Sequence, residues 1–265
     1  MTDPVIDPLA AAVSDLDPLL RPRQVLAVGE WHGTEEFPAL IARLVEVATG
    51  RGLAVTVGLE IPCSETPGEL GPFWSRRPEF QDGRSSRAMA RLVRELVDRR
   101  INGHDVEVVF MDGPWVAPGS PVPMEWLHLV EQRRDEVMAN FMLDAVAART
   151  RALTLVLAGH QHTRVDGGSG DGSGQPALGY YLRRWHPDLV ALLARASGGE
   201  AWMLTGAPDR GDPDDAGGPR PIPDDADLPP GAAWTDRTGP DGHHGYLHLE
   251  RLRASPPAGE HRPAS

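Results

Sequence analysis

Short apolar runs alternate along this chain with longer segments of helical periodicity, and no other feature constrains the fold as strongly. Five runs have the length of buried strands: residues 24–28, 53–59, 106–111, 153–158 and 189–194. Between them, segments such as 35–49 and 84–100 place apolar residues at spacings of three and four, which is typical of helices. Strands that alternate with helices are joined by right-handed crossovers and form a sheet that is covered on both sides. We therefore predict an α/β fold with a central, mainly parallel β-sheet flanked by helices on both faces.

The other predicted elements complete one domain. Helices are predicted over residues 124–150 and 177–185, and the alternating segment 246–252 has the pattern of an edge strand. We predict a single α/β catalytic domain over residues 1–254, with flexible loops at 166–176 and 206–231, where glycine and aspartate are frequent. Residues 255–265 are predicted to form a disordered tail.

Composition narrows the class of partner. The formal net charge is -12, which argues against a nucleic-acid partner because neutralising phosphates requires a basic face. No run approaches the roughly 20 apolar residues of a membrane-spanning helix, and the acidic start does not resemble a secretory signal. Cys63 is the one cysteine, so a disulfide within the chain and a cysteine-based zinc cluster are excluded. We predict a cytoplasmic protein that acts on a small molecule or peptide, and the sequence sets no oligomeric state.

Four consecutive predicted strands end in ionisable residues, whereas the strand interiors contain almost none. In chain order these residues are Glu30 and His32, then Glu60, then Asp112, then His160 and His162. Ligands of open parallel sheets bind at the carboxyl ends of the strands. One polar residue at a strand end is common, but four strands in series favour a shared site.

The segment after the first strand is the strongest candidate. Glu30 and His32 are two residues apart, so in extended backbone both side chains point the same way and Trp31 points to the opposite side. Gly33 allows the chain to turn, and Thr34 is a plausible cap for the helix that follows. A histidine alone is more often a core or capping residue, but its pairing with Glu30 favours a functional role.

The predicted helix 124–150 adds a second clue. Its apolar stripe consists of Leu127, Val130, Val137, Phe141 and Ala145, and Arg134 occupies the missing step. A buried arginine must be paired, because an uncompensated charge costs several kcal/mol. The acidic strand ends are its natural partners, unless Arg134 extends to solvent along its apolar stem.

Signatures of covalent catalysis are missing. The chain has no G-x-S-x-G nucleophile elbow, no H-E-x-x-H and no phosphate-binding glycine loop. Cys63 follows Glu60 closely, but a lone buried cysteine is more often inert packing. A set of glutamate, histidine and arginine side chains suits general base activation of water without a covalent intermediate.

Four motifs in order resemble the erythromycin esterase-like superfamily, which includes ChaN-type haem-binding proteins and Tiki-type proteases. The motifs are residues 29–34 (GEWHGT), 59–60 (LE), 134–139 (RDEVMA) and 158–162 (AGHQH). They cover the chain from about Val25 to Thr163. This chain is expected to be a short member that keeps the core of these longer esterases.

The resemblance implies a role for each matched residue. His32 would be the base that deprotonates water, while Glu30 and Glu60 would orient it and hold charge. Arg134 would fix a carboxylate or stabilise the oxyanion, and His160 would polarise the substrate or complete the acid–base pair. We assign substrate contacts to a further set: Trp31, Asp112 and His162. The predicted reaction is cleavage of an ester, lactone or amide in a small molecule or modified peptide, for natural-product tailoring or resistance. The preferred mechanism requires no cofactor.

Three alternatives stay open at this stage. A divalent metal such as Mn or Zn could be held by His32, Glu60 and His160, as in Tiki-type peptidases. The same base could drive an elimination or isomerisation instead of hydrolysis. ChaN-type relatives bind haem through tyrosine, although Tyr180 and Tyr181 follow a flexible loop here.

His243, His244 and His248 are predicted to be surface and strand residues with weak metal-binding potential.

Overall fold

The computed structural model of the protein describes residues 8–69, 71–75, 81–114, 133–168, 174–204, 217–225 and 227–259. The helices within them are α1 (Pro8–Leu16), α2 (Glu36–Gly50), α3 (Arg87–Ile101), α4 (Arg134–Ala148) and α5 (Leu178–Trp185), and a 3₁₀ turn (Asp17–Leu19) follows α1. The strands are β1 (Val25–Glu30), β2 (Val55–Pro62), β3 (Val106–Asp112), β4 (Leu153–Gly159), β5 (Val190–Ala196), β6 (Glu200–Met203), β7 (Gly218–Pro221), β8 (Gly231–Trp234) and β9 (Gly245–Leu249).

Seven of these strands form the central sheet, in the order β3-β2-β4-β1-β5-β9-β8. Every neighbouring pair is parallel except β8 and β9, which are antiparallel at one edge. Strand β4 lies between β1 and β2, so the carboxyl ends of these three strands are side by side. The predicted α/β fold with a mainly parallel sheet is confirmed.

Helices cover both faces of the sheet, as expected. On one face α1, α2 and α3 pack on the strands, with Leu44 and Leu96 buried against Leu155 in the same apolar cluster. On the other face α4 and α5 bury Met142 and Leu182 in a separate cluster. The sheet is therefore apolar on both sides, and its polar residues are confined to the strand ends and loops.

The apolar stripe predicted on the third long helix is rotated by about one residue. Within α4 the buried residues are Met138, Ala139 and Met142, whereas Phe141 is 37% exposed. Arg134 nevertheless lies on the inward face, because it precedes Met138 and Met142 at spacings of four. The predicted start of this helix, with Leu127 and Val130, lies outside the described residues.

The elements after β5 differ most from the prediction. Segment 246–252 was expected to be an edge strand, but β9 lies between β5 and β8, which itself forms the edge. Part of the predicted loop 206–231 is ordered as β7, which pairs with β6. Helix α1 and strands β6 and β8 were not predicted, because segments this short carry little periodic signal.

The predicted disordered tail is also corrected for its first five residues. Ser255 is fully buried, and Pro257 forms a bridge with Ser86 at the start of α3. The side chains of this segment are small or cyclic, so composition alone resembled a disordered tail. Among the residues that the structure describes, no helix is long and apolar enough to cross a membrane.

Candidate active site

The backbone after β1 makes a sharp turn that presents His32. Gly33 has a φ of 71°, in the left-handed region that favours glycine. A Cβ on Gly33 would lie 2.3 Å from the carbonyl oxygen of Trp202, so this turn also packs directly on β6. Thr34 donates its hydroxyl to the carbonyl of Trp31 at 3.1 Å, closing the turn.

His32 lies between two buried glutamates. Its Nδ1 is 2.9 Å from Oε1 of Glu30, and its Nε2 is 3.3 Å from Oε2 of Glu60. Both carboxylates are almost fully buried, whereas the His32 side chain is 20% exposed. Gly159 makes this possible, since a Cβ at that position would lie 3.0 Å from Nε2 of His32. The sequence motif at β1 and the glutamate in β2 are therefore brought together.

Glu60 is also anchored from β4 and α4. Its Oε2 accepts a hydrogen bond from the backbone N–H of Gly159 at 2.7 Å. Its Oε1 accepts one from Nη2 of Arg134, whose Nε donates to Oδ1 of Asp112 at 2.7 Å. Arg134 thus pairs with the carboxylates of two neighbouring strands, as the predicted inward arginine should.

A second arginine, which no sequence pattern indicated, joins the same carboxylates. Nη1 of Arg84 pairs with Oδ2 of Asp112 and lies 3.6 Å from Oε1 of Glu60. Its Nη2 is 2.6 Å from Oδ2 of Asp82, and its guanidinium lies 5.9 Å from the ring centroid of Phe73. Arg84 stands in the loop before α3 rather than at a strand end, so the strand-end rule did not select it.

His162 enters the cluster from the turn after β4. Its Nδ1 is 2.9 Å from Oδ1 of Asp135, its Nε2 is 3.2 Å from Nη1 of Arg134, and the same Nε2 is 3.6 Å from Oε1 of Glu60. Asp135 also accepts the backbone N–H of Leu178 at 2.7 Å, at the start of α5. The aspartate of the RDEVMA motif therefore orients a histidine and caps a helix.

His160 is near this cluster but makes different contacts. Its ring packs on Trp31, with centroids 4.9 Å apart and planes inclined at 41°. The chain turns after Gly159, whose carbonyl accepts the N–H of His162 at 2.9 Å. His160 and His162 therefore diverge, and His162 rather than His160 contacts Arg134 and Glu60.

A cavity of about 310 Å³ opens above these residues. Its charged floor includes His32, Glu60, Arg84 and Arg134, and its apolar wall comprises Trp31, Met203 and Leu204. His160 and His162 also line it, as does Glu30. Asp112, predicted as a substrate contact, lies beneath the two arginines instead of in the described wall. Trp31 and His162 line the cavity, and their role as substrate contacts stays a prediction.

The glutamates set the charge of His32. Burial disfavours the imidazolium, but the charge of Glu60 and the hydrogen bonds to Glu30 and Glu60 outweigh it and raise the pKa of His32 to about 10. Burial in turn raises the pKa of Glu30, against the lowering effect of His32. Among the described residues, Oε2 of Glu30 is buried without a hydrogen-bond partner. At neutral pH His32 therefore carries its second proton.

The other carboxylates are held ionised. Burial acts to raise the pKa of Glu60, but His162, Arg134 and His32 together lower it well below its ordinary value. Burial opposes the charge of Asp112 in the same way, and the hydrogen bond and charge of Arg134 lower the pKa of this group. Burial also disfavours the charged ring of His162, but Glu60 and Asp135 raise the pKa of this histidine.

His160 and Cys63 are shifted toward their neutral forms. Burial lowers the pKa of His160, and the hydrogen bond to the backbone of Glu30 opposes this effect without cancelling it. Burial and the charge of Asp112 raise the pKa of the Cys63 thiol. Of the three histidines that line the cavity, His32 is therefore charged at neutral pH, His162 has a raised pKa and His160 has a lowered one. A thiol of raised pKa is a poor nucleophile, which agrees with an inert Cys63.

The donor atoms of the cluster do not fit a divalent metal. Both ring nitrogens of His32 are engaged by carboxylates, and each oxygen of Glu60 already accepts a hydrogen bond. Two arginines adjoin Glu60 and would repel a metal cation there. Over the described part of the chain, no three His, Cys, Asp or Glu side chains are grouped so as to hold a metal.

The three histidines near β9 are buried, which corrects the expectation of surface positions, although His248 does lie in a strand as predicted. His243 is 2% exposed and its Nε2 is 2.9 Å from Oγ1 of Thr163. His244 accepts the backbone N–H of Ala191 at 3.0 Å, and His248 is 3.2 Å from Oγ of Ser197. Histidine patterns are ambiguous in sequence, because a neutral ring is readily buried when a hydroxyl or amide contacts it.

Comparisons with known proteins give the fold but not the family. No protein-family model and no curated protein sequence matches the chain. A solved succinoglycan biosynthesis protein aligns with a TM-score of 0.59 at 9% identity, covering 94% of this chain and 98% of that one. An erythromycin esterase EreC mutant in its open conformation aligns with a TM-score of 0.55 at 12% identity, covering 92% and 94%.

A third structure, from Bacillus cereus, has a TM-score of 0.55 at 10% identity and covers 94% of each chain. At such identities these likenesses show a common fold, and the α/β architecture of an erythromycin esterase is shared by this chain. The alignment covers most of the esterase chain, so it gives no support for the expected difference in length.

Proposed function

We propose that this protein is a hydrolase that adds water to an ester, lactone or amide bond in a small molecule or modified peptide. The observation that carries the proposal is His32, held through both ring nitrogens between Glu30 and Glu60 at the floor of an open cavity. Such a buried, charge-tuned cluster in a cleft is a typical setting for proton transfer. The shared fold with an erythromycin esterase supports the same reaction class.

In this proposal two histidines divide the proton transfers. Environments that push two pKa values apart assign an acid and a base. His160, whose pKa is lowered, would accept a proton from water, and the charged His32 would donate a hydrogen bond. This assignment differs from the one that the resemblance implies, in which His32 is the base. A histidine with a pKa of about 10 keeps its proton at neutral pH, so His32 cannot accept one from water.

The reaction then follows the general path of acyl transfer to water. The hydroxide formed at His160 attacks the carbonyl carbon, and the negative charge moves to the carbonyl oxygen. Nε2 of His32 is the donor best placed to stabilise that oxygen, because its bond to Glu60 is the longer of its two. As the tetrahedral intermediate collapses, the protonated His160 returns its proton to the leaving alcohol or amine.

The cavity supports a substrate with both polar and apolar parts. The charged floor would hold the scissile bond, and Trp31 with Met203 would contact an apolar group beside it. A volume of about 310 Å³ lies at the lower end of the range for small-molecule sites. We propose natural-product tailoring or self-resistance as the setting, by analogy with the esterase that shares the fold.

The competing functions have less support in the geometry. A metal ion at His32 and Glu60 would have to displace the carboxylate, arginine and backbone contacts that now engage these two side chains. A haem site through tyrosine is disfavoured because Tyr180 and Tyr181 lie on α5, packed on each other at 5.8 Å, and neither lines the cavity. Metal analysis of untagged protein, followed by activity after chelation, tests the metal-dependent alternative. A Soret band on adding haemin tests the haem-binding alternative. Incorporation of ¹⁸O from labelled water into the product separates hydrolysis from elimination.

The decisive experiment compares three histidine variants on a panel of aryl esters, lactones and acylated peptides. We expect His32→Ala and His160→Ala each to lower kcat/KM by about 10²- to 10⁴-fold, the usual range for a lost acid or base. His104→Ala, at an exposed position before β3, should match the wild type. A fully active His32→Ala protein would contradict the proposal.

The pH dependence distinguishes the two assignments of the base. With His160 as the base, kcat/KM rises as His160 loses its proton below pH 6.5 and falls when His32 deprotonates near pH 10. A rate that instead climbs up to pH 10 would return the role of base to His32.

A further inference from the structure

The segment of residues 252–258, which follows β9, contacts both loops that bring cations to Glu60. We infer that this segment is a positioning element of the site, in which Ser255 holds the loop of His32 against the loop of Arg84. Its relevance to catalysis rests on the proposed function, whereas its effect on His32 can be measured without a substrate.

One side of the segment is bonded to the turn after β1. The carbonyl of Gly33 accepts the N–H of Ser255 at 2.7 Å, and the N–H of Glu35 donates to the carbonyl of Arg253 at 2.9 Å. Arg253 also contacts the carboxylate of Glu36 through its backbone N–H at 3.0 Å and its Nε at 2.9 Å. These bonds begin one residue after His32 and fix the end of its turn.

The other side of the segment is bonded to the start of α3. The carbonyl of Pro256 accepts the N–H of Arg87 at 2.7 Å, and the N–H of Ala258 donates to the carbonyl of Ser85 at 2.9 Å. Oγ of Ser255 accepts the N–H of Ala88 at 3.0 Å. Amides in the first turn of a helix lack partners within the helix, so the segment supplies them. These contacts begin one residue after Arg84.

Ser255 is the residue where the two sets of bonds meet. It is fully buried, its backbone N–H binds the His32 loop and its hydroxyl binds the first turn of α3, directly after the Arg84 loop. The two loops also touch directly, since a Cβ on Gly83 would lie 2.5 Å from the backbone nitrogen of Gly33. Gly83 has a φ of 91°, so this contact depends on glycine. A shift of either loop is therefore transmitted to the other through Ser255.

A purely structural role would lower stability without changing the environment of His32, so the proposal is tested on the ionisation of that residue. The pKa of His32 is measured by NMR of ¹⁵N-histidine-labelled full-length protein. Ser255→Pro removes the N–H that binds Gly33 and should increase the acid dissociation constant of His32 at least about tenfold, toward the ordinary pKa of 6.5. Ser255→Ala removes the hydroxyl alone and should change it about threefold.

Two controls accompany these variants. Ser255→Thr keeps both the N–H and the hydroxyl and should restore the wild-type titration, and Ser75→Ala at an exposed position should not alter it. Variants that fold, by near-ultraviolet circular dichroism, but titrate as the wild type would overturn the inference. If Ser255→Pro does not fold, the titration of Ser255→Ala decides. A chain that hydrolyses no substrate would remove the proposed function and leave this result unaffected.

Discussion

On one side of Glu60, Oε1 accepts a hydrogen bond from Arg134 and lies 3.6 Å from Arg84; on the other, Oε2 lies 3.3 Å from Nε2 of His32. On the arginine side, Arg134 also pairs with Asp112, and on the histidine side, His32 also pairs with Glu30. Guanidinium groups stay charged at any pH at which the protein is folded, whereas an imidazole can release its proton. One carboxylate thus joins a region of fixed charge to a region of variable charge.

The two regions also differ in how completely their polar atoms are satisfied. Both oxygens of Asp112 accept hydrogen bonds from Arg134, whereas Oε2 of Glu30 has no partner among the described residues. A satisfied ion-pair network resists change, and an unsatisfied carboxylate can take up a proton. We therefore expect the arginine side to dominate stability and the histidine side to dominate the response to pH.

The largest effect on stability is expected from Arg134→Met. Removing the guanidinium leaves Glu60 and Asp112 buried with reduced compensation, which should lower the free energy of unfolding at pH 7 by about 3 kcal/mol. Urea denaturation measures this change. Arg43→Met is the matched control, because Arg43 makes an exposed ion pair with Glu46 and its loss should cost less than about 1 kcal/mol. Equal losses in both variants would remove the distinction between the two regions.

The second prediction concerns the alkaline range. His32 has a raised folded-state pKa, so its stabilisation is complete below the unfolded value of 6.5 and is lost as the pH rises through about 10. Wild-type protein should therefore lose stability progressively over this window, by more than its other titratable groups account for. Denaturation curves recorded at several pH values give the loss.

His32→Gln tests the origin of this loss. The variant should be less stable than the wild type at pH 7 and should lose less stability between pH 6.5 and 10, keeping only the smaller share that His162 contributes, so that the two curves converge at alkaline pH. Parallel curves would show that His32 is not the group responsible, and the histidine side would then lack its variable charge.

The smallest effect is expected from Asp135→Asn, at the border of the two regions. Asparagine keeps an oxygen for the N–H of Leu178 but loses the charge that faces Nδ1 of His162. The pKa of His162 should fall toward its ordinary value, and stability at pH 6 should decrease by about 1 kcal/mol. NMR titration of His162 provides the measurement, and an unchanged pKa would mean that Glu60 alone sets its charge.

Much of the site could be predicted because parallel strands align their carboxyl ends. Buried strands are read from apolar runs, so the residues that follow them, Glu30, Glu60 and Asp112, were expected to meet, and they do. The inward position of Arg134 followed from the helical spacing of apolar residues. The predicted apolar stripe is displaced by one residue from the buried one, but Arg134 faces inward in both. The geometry of β-sheets is regular enough for such inferences.

The parts that were missed depend on loops, whose course local pattern does not determine. His160 and His162 are two residues apart, and extended backbone would place them on one side, but a turn after Gly159 separates them. Arg84 and Ser255 reach the site from irregular segments that have no period. The glycine at position 83, directly before an arginine, was the available signal, and it became interpretable once its contact with Gly33 was known.

The position of β4 between β1 and β2 has a consequence for folding. The two earlier strands cannot pair with each other and must leave a gap that a strand about 100 residues later fills, as the bond between Gly159 and Glu60 illustrates with its separation of 99 residues. Closing such distant contacts is entropically costly and slows folding. During synthesis His32 and Glu60 must remain apart until β4 emerges between their strands, so the cluster is expected to form late in folding.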